Sequence, residues 1–156
     1  MMKIEELSNH QIVTIVVALL GGDADHIDRE DIAIKADELA TGKFNWRKYP
    51  NRIDLDAIGV ALRDAKKAKN SSLVVGSNIR GWMLSSNGLK WLVALNQSKD
   101  LVEFSFENLI SKIFDSLISE QKRLLSTNAY NLFLQGKKID ITKLDFFEFT
   151  RTNEYF

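Results

Sequence analysis

Apolar residues recur every three or four positions along most of the chain, which is the period of an amphipathic helix. The first such segment is apolar on nearly all sides, so we expect it to form a buried central helix that begins at Ser8 or Asn9. Cap residues and glycines set the ends of the other helices. The pattern predicts helices over residues 9–20, 29–40, 55–67, 85–95, 106–125 and 127–135, and a last helix that starts at Thr142.

Between the third and fourth predicted helices the pattern changes to that of β-structure. Residues 73–75 and 82–84 are short apolar runs of the kind that form strands. The segment between them has glycine at both ends, Gly76 and Gly81, which favours a hairpin loop. The predicted fold class is therefore mainly α-helical with one small β-hairpin (α+β).

The order helix, helix, helix, hairpin, helix over residues 8–96 resembles the winged helix-turn-helix superfamily. Residues 81–92 are similar to the signature "aromatic-x-Leu-Thr-x-x-Gly-x-x-x-Leu", which closes the wing in many bacterial regulators of this type, with Ser85 in place of threonine. In such a signature the hydroxyl caps the next helix, and Gly88 allows that helix to pack closely. The resemblance implies a winged-helix domain over residues 1–96, followed by a C-terminal helical extension over residues 97–156.

Two features depart from the usual pattern of this superfamily. The connection between the second and third helices, residues 41–53, is much longer than the short turn that is usual there. It contains Phe44, Trp46 and Tyr49 among basic residues, and these rings either stack on bases or plug the core while the basic side chains point outward. We favour the core position, because an exposed aromatic ring gives up about 2 kcal/mol of burial. The outer face of the third helix, where we expect Gly59, also carries few side chains suited to reading bases, which weakens the case for ordinary readout in the major groove.

The zero net charge of the chain conceals a strong asymmetry. Residues 1–42 carry a net charge of −6, whereas residues 43–90 contain ten basic and three acidic side chains and carry +7. A positive field of this kind attracts phosphate backbones, so we expect a double-stranded DNA partner. The residues predicted to contact nucleic acid are Lys43, Arg47, Lys48, Arg52, Arg63, Lys66, Lys67, Ser77, Asn78 and Arg80.

Candidate chemistry is sparse. The absence of cysteine excludes a disulfide framework, a thiolate zinc site and a cysteine nucleophile. His10 and His26 lie far apart along the chain and have no metal-ligand spacing, and the chain has no catalytic motif. We therefore expect no metal, no cofactor and no enzymatic activity. The longest apolar run, residues 12–20, is too short to cross a bilayer, so we expect no membrane partner and a cytoplasmic location.

The C-terminal third of the chain is rich in apolar surface. Residues 104–156 contain 10 of the 15 aromatic residues, and the helix predicted over residues 106–125 has a long apolar seam. These helices either fold back on the first domain or form a homodimer, and we favour the homodimer because two-fold proteins match two DNA half-sites. The residues predicted to form the dimer are Phe106, Ile110, Ile113, Leu117, Phe146 and Phe147.

These observations lead to one expectation and one alternative. We expect a dimeric, non-enzymatic transcriptional regulator that contacts duplex DNA through the third helix and the wing. The alternative is a protein-interaction module, an accessory subunit of a larger complex such as a bacterial defence or mobile-element system. In that case the long connection and the aromatic C-terminus are the partner surfaces.

Overall fold

The computed structural model describes residues 4–98 and 107–150 of the 156-residue chain. The described part is mainly α-helical with one two-stranded antiparallel sheet, which confirms the predicted α+β class at this level. Single turns of 3-10 helix lie at Ile4–Glu6, Ala68–Asn70 and Lys138–Asp140. The regular elements are α1 (Asn9–Leu19), α2 (Arg29–Leu39), α3 (Leu55–Lys66), β1 (Val74–Ser77), β2 (Gly81–Leu84), α4 (Ser86–Ser98), α5 (Glu107–Ser126), α6 (Asn128–Leu134) and α7 (Lys143–Thr150).

The chain divides into two compact units, Met1–Ile110 and Ser111–Phe156. We refer to them as the N-terminal unit and the C-terminal unit. The boundary expected from the sequence, between residues 96 and 97, lies on the N-terminal side of this division.

The helix α1 forms the centre of the N-terminal unit. All seven residues from 12 to 18 are buried, which confirms the central helix predicted from its apolar surroundings. Thr14 is the polar member of this set, and its hydroxyl donates to the His10 carbonyl at 2.7 Å, so its burial leaves no unpaired donor. The helix packs against α2, α3 and β2.

The hairpin has a tight register that depends on its two glycines. Val74 pairs with Leu84 and Ser77 pairs with Gly81, so residues 78–80 form the loop. Gly76 has a φ of +129°, and a Cβ at this position would lie 2.2 Å from the Gly81 carbonyl oxygen, so only glycine fits.

The segment between α1 and α2 adds to this small sheet. Ile27 forms an antiparallel bridge with Trp82 through two backbone hydrogen bonds, each of 2.9 Å. Because Asp28 and Arg29 follow directly, the bridge holds the start of α2 beside β2.

The junction between β2 and α4 shows the helix cap and the close packing that the sequence predicts for Ser85 and Gly88. The Gly88 N–H donates to Ser85 Oγ at 3.0 Å, so the hydroxyl caps the helix. A Cβ at Gly88 would lie 2.1 Å from the Leu73 carbonyl oxygen, which confirms that this glycine permits close packing.

The long connection between α2 and α3 is only partly built into the core. Phe44 is 1% exposed, as expected, but Trp46 and Tyr49 are 48% and 50% exposed, so the prediction that their rings plug the core is wrong. The reason is an isolated bridge between Asn45 and Ile53, which closes residues 46–52 into a projecting loop. Within that loop the backbone bonds to itself, since the Trp46 N–H donates to the Arg52 carbonyl at 2.9 Å.

Polar contacts connect the helices of the C-terminal unit. The Arg123 guanidinium donates to the carbonyl oxygens of Glu148 and Phe149, each at 2.9 Å. The Asn128 side chain donates to Asp145 at 2.8 Å, which connects the start of α6 to the start of α7.

The residues predicted to form a dimer fall into two groups in the structure. Phe146 is 55% exposed and Phe147 is half-buried. Phe106 and the side chains of Ile110, Ile113 and Leu117 lie outside the described residues.

Candidate nucleic-acid interface

The helix α3 separates a buried face from a charged face. Asp54 caps its start by accepting from the backbone N–H groups of Asp56 and Ala57 at 2.9 and 3.1 Å, as predicted. The predicted inward stripe is buried, and Arg63 and Lys66 are exposed in the last turn. The buried stripe consists of Ile58, Ala61, Leu62 and Ala65.

The sequence predicts Gly59 on the exposed face of α3, but this residue is buried. The side chains of three residues reach over it: Arg63 from α3, Asn78 from the hairpin loop and Arg29 from α2. A Cβ at Gly59 would lie 3.3 Å from Arg63 Nη1, 3.6 Å from Asn78 Nδ2 and 3.8 Å from Arg29 Nη1. Three nitrogen donors from three elements therefore converge on one point, and we call this group the Gly59 donor cluster.

Contacts made elsewhere in the fold position Asn78 and Arg29 and tie α3 to the hairpin. The indole N–H of Trp82 donates to Asn78 Oδ1 at 3.3 Å, which directs the amide nitrogen away from Trp82. The bridge between Ile27 and Trp82 holds Arg29 beside the hairpin. Lys66 Nζ donates to the Gly76 carbonyl at 2.8 Å and thereby ties the last turn of α3 to β1.

The cluster has more donors than acceptors. Within the described residues, the buried Nε of Arg29 has no hydrogen-bond partner. The ion pair of this guanidinium with Glu30 is long, 3.5 Å from Nη2 to Oε1. A buried donor without an acceptor costs about 1–3 kcal/mol, and two guanidinium groups near one point repel each other. The arrangement is therefore matched to an anion that accepts several hydrogen bonds.

Sequence reasoning missed Arg29, because this residue lies in the segment with net charge −6. Its position in the cluster depends on the pairing of Ile27 with Trp82, which are distant from each other along the chain. No local pattern of apolar and polar residues predicts such a pairing.

The hairpin loop places its predicted residues at the surface. Asn78 and Arg80 are exposed, and the half-buried Ser77 accepts from the Arg80 N–H at 3.2 Å. Between them, Ile79 is 95% exposed at the tip of the hairpin. The loop therefore exposes one apolar side chain, that of Ile79, and two polar side chains, those of Asn78 and Arg80.

Besides Lys66, two more of the predicted basic residues are engaged within the protein. Lys67 forms an ion pair of 2.6 Å with Asp64, and this hydrogen bond lowers the pKa of the Asp64 carboxyl. Lys43 is half-buried and donates to the Leu7 carbonyl at 2.6 Å, which anchors the long connection to the start of the chain.

The projecting loop forms a second exposed group of basic and aromatic residues. The rings of Trp46 and Tyr49 have centroids 6.2 Å apart and planes inclined at 57°. Lys48 Nζ lies 5.6 Å from the centroid of the Tyr49 ring, and Arg47 and Arg52 are exposed. Exposed rings beside cations are suited to stacking on bases or to packing on a protein partner.

Comparisons with protein-family models, with curated proteins and with solved structures give no match. Within residues 4–98 and 107–150, no three metal-ligating side chains are grouped closely enough to hold an ion. In the same part of the chain no helix has the length and apolar character needed to span a bilayer.

Proposed function

We propose that this protein is a winged-helix protein that binds duplex DNA through α3 and the hairpin, with the hairpin as the wing. The observation that carries the proposal is the collection of Arg29, Arg63, Lys66 and Asn78 where α3 meets the hairpin. The added bridge at Ile27 supports it, because it places the segment between α1 and α2 against the second wing strand.

The exposed chemistry of α3 favours contacts to the DNA backbone over base readout. Arg63 is the side chain best suited to a guanine edge, and Val60, which is 49% exposed, suits a thymine methyl group. The other exposed polar side chains of the helix are those of Asp56 and Lys66, which carry little sequence information. We therefore expect binding that depends strongly on salt.

A titration of labelled duplex DNA at several salt concentrations tests this proposal. We expect the wild-type protein to bind at low salt, and the logarithm of its affinity to fall linearly with the logarithm of the salt concentration. The double variant Arg63→Glu with Arg80→Glu should bind much more weakly. Its matched control is Lys122→Glu with Lys137→Glu, which makes the same change in charge on exposed residues of the C-terminal unit. Absent binding, or equal effects of the two double variants, contradicts the proposal.

The proposal includes a homodimer formed by the C-terminal helices, as a regulator of palindromic sites requires. Its support is the apolar surface there, since Leu144 is 76% and Phe146 is 55% exposed. Mass determination in solution should give a dimer for the wild-type protein and a monomer for Leu144→Ser with Phe146→Ser. Ile79→Ser, which alters an exposed apolar residue of the hairpin, should remain dimeric. A monomeric wild-type protein contradicts this part.

A protein-interaction module is the second candidate, and the projecting loop favours it. Trp46 and the 56%-exposed Ile34 line a groove with Arg52 and Leu55, which is apolar surface that a partner chain can cover. Purification from the native host after nuclease treatment and at high salt should then retain a stoichiometric protein partner. Trp46→Ser with Tyr49→Ser should lose that partner and keep the duplex affinity of the wild-type protein. Loss of all partners with nuclease and salt contradicts this candidate.

A further inference from the structure

We propose that the Gly59 donor cluster is a binding site for one phosphate group, held by Arg29, Arg63 and Asn78. The three nitrogen atoms converge within 3.8 Å of the point where a Cβ of residue 59 would lie. A tetrahedral phosphate presents oxygen atoms in several directions and accepts from all three donors at once. Its negative charge also offsets the repulsion between the two guanidinium groups.

The free hydrogen-bonding capacity of the cluster matches an oxyanion better than a neutral ligand. Arg29 Nε is buried without a partner among the described residues, and its Nη1 faces Gly59. Glu30 contacts Nη2, at 3.5 Å, so it leaves the other two nitrogens of this guanidinium available. Asn78 has its oxygen engaged by Trp82, and the amide can therefore act only as a donor toward Gly59.

Gly59 is the floor of the proposed site. Any other residue would place a Cβ at the point on which the donors converge, at ordinary contact distance from Arg29 and Asn78 and slightly closer to Arg63. A Cβ there would take up room beside the three donors that the bound phosphate needs. Glycine in the middle of α3 lowers helix propensity, and room for a ligand gives this glycine a function that offsets the cost.

The geometry identifies the chemistry of the ligand, and the phosphate has two sources. It belongs either to a backbone position of duplex DNA or to a free phosphorylated small molecule. The assignment to DNA rests on the proposed function, whereas binding of phosphate as such does not. An experiment with two arms separates these sources.

The first arm is a titration of the isotope-labelled full chain with inorganic phosphate at constant ionic strength, followed by nuclear magnetic resonance. We expect saturable shifts of the Asn78 side-chain amide and of the Arg29 Nε–H signal. Arg29→Gln removes a charged donor and should weaken binding about tenfold. Gly59→Ala keeps every donor and should weaken binding because the floor is filled.

The matched control is Lys35→Gln, which removes one positive charge from another position on α2. It should bind phosphate like the wild-type protein. Shifts that do not saturate overturn the proposal. Equal phosphate affinities for Gly59→Ala, Arg29→Gln and Lys35→Gln also overturn it, because the response is then a general effect of charge.

The second arm measures duplex DNA affinity for the same variants over a range of salt. If the phosphate comes from DNA, Arg29→Gln should reduce the salt slope by about one, and Gly59→Ala should weaken binding without any change in charge. Duplex binding that these variants and Lys35→Gln affect equally overturns the assignment of the phosphate to DNA and leaves the proposed function standing. Saturable phosphate binding without duplex binding contradicts the proposed function and assigns the site to a free phosphorylated ligand.

Discussion

In the N-terminal unit seven consecutive residues of α1 are buried, whereas among the C-terminal side chains whose exposure the structure describes, which leave out positions 112, 113, 116 and 117 of α5, those of Thr127 and Ala129 are buried. Large apolar residues of the C-terminal unit face outward instead, among them Phe133, Leu134 and Leu144 at 52%, 63% and 76% exposed. The first unit therefore has a core of its own, and its surface is available for charged contacts. Exposed apolar area of the kind seen in the second unit is typical of a domain that is stabilised by assembly.

The stabilising contacts differ in the same way. In the N-terminal unit the important contacts are close approaches of apolar side chains and backbone, such as α4 at Gly88 against Leu73. In the C-terminal unit the side chains of Arg123 and Asp145 form hydrogen bonds to neighbouring helices. Because exposed polar contacts contribute little each, substitutions of similar size should have much larger effects in the first unit than in the second.

The largest difference between the units should come from shortening one leucine in each. Leu62→Ala, at a fully buried position of α3, should lower the free energy of unfolding by about 2–5 kcal/mol. Leu134→Ala, at a 63% exposed position of α6, should change it by less than about 0.5 kcal/mol. Chemical denaturation followed by tryptophan fluorescence and by circular dichroism measures both changes.

The two signals separate the units, because all three tryptophans, Trp46, Trp82 and Trp91, lie in the N-terminal unit. Fluorescence therefore reports that unit, and circular dichroism reports the helices of both. Equal losses of unfolding free energy for Leu62→Ala and Leu134→Ala would contradict this prediction and show that the C-terminal unit is packed as tightly as the N-terminal unit.

The next largest effect on the free energy of unfolding is expected when one glycine in each unit is replaced by alanine. Gly88→Ala should cost about 1–3 kcal/mol, because its Cβ would lie 2.1 Å from the Leu73 carbonyl oxygen and α4 would have to move. Gly136 in the C-terminal unit has a φ of +75° and open space around it, so Gly136→Ala should cost only the backbone strain of about 1 kcal/mol. The same denaturation experiment checks both values, and a smaller cost at Gly88 than at Gly136 would refute the close approach of α4.

Local signals in the sequence predict the elements of the fold well and its long-range contacts poorly. Asp54 as a helix cap and Gly76 in the hairpin act on their near neighbours in the chain, so their roles follow from the sequence alone. The exposure of Trp46 depends on a bridge between Asn45 and Ile53, and the position of Arg29 depends on a partner strand that is distant along the chain. These pairings involve contacts that periodicity does not encode.

The candidate site is therefore only partly visible from the sequence. Arg63 and Asn78 are predictable as a basic residue on a helix and a polar residue in a loop. Their convergence over Gly59 is a property of three elements together, and so the expectation that Gly59 is exposed was wrong.

Replacing Gly59 should have a smaller effect on the free energy of unfolding, and this effect should have the opposite sign. Gly59→Ala should raise the free energy of unfolding by about 0.5–1 kcal/mol, because alanine has the higher helix propensity and the nearest atom is the mobile end of the Arg63 side chain. Its phosphate affinity should fall at the same time. A variant that gains stability and loses affinity separates the role of the site from that of the core, and loss of both would indicate a purely structural glycine.

The smallest effect is the pH dependence of the stability that two partly exposed carboxyls contribute, one in each unit. In the C-terminal unit the pKa of Asp145 is lowered by hydrogen bonds from the Thr142 hydroxyl, the Asn128 amide and the Thr142 backbone N–H. In the N-terminal unit the pKa of Asp64 is lowered chiefly by the hydrogen bond from Lys67. Each carboxyl therefore stabilises the folded state above the ordinary aspartate pKa, near pH 4, and this contribution is lost as the pH falls through the lower folded pKa.

Salt should distinguish the two carboxyls, because the partner of Asp64 is charged and the partners of Asp145 are neutral. Carboxyl carbon shifts measured against pH at low and at high salt should show the pKa of Asp64 rising with salt and that of Asp145 nearly unchanged. Thr142→Val should raise the pKa of Asp145 toward its ordinary value and leave Asp64 as it was. A wild-type Asp145 that titrates at the ordinary aspartate pKa would mean that the hydrogen bonds from Thr142 and Asn128 do not persist in solution, and the second of these is a contact between α6 and α7.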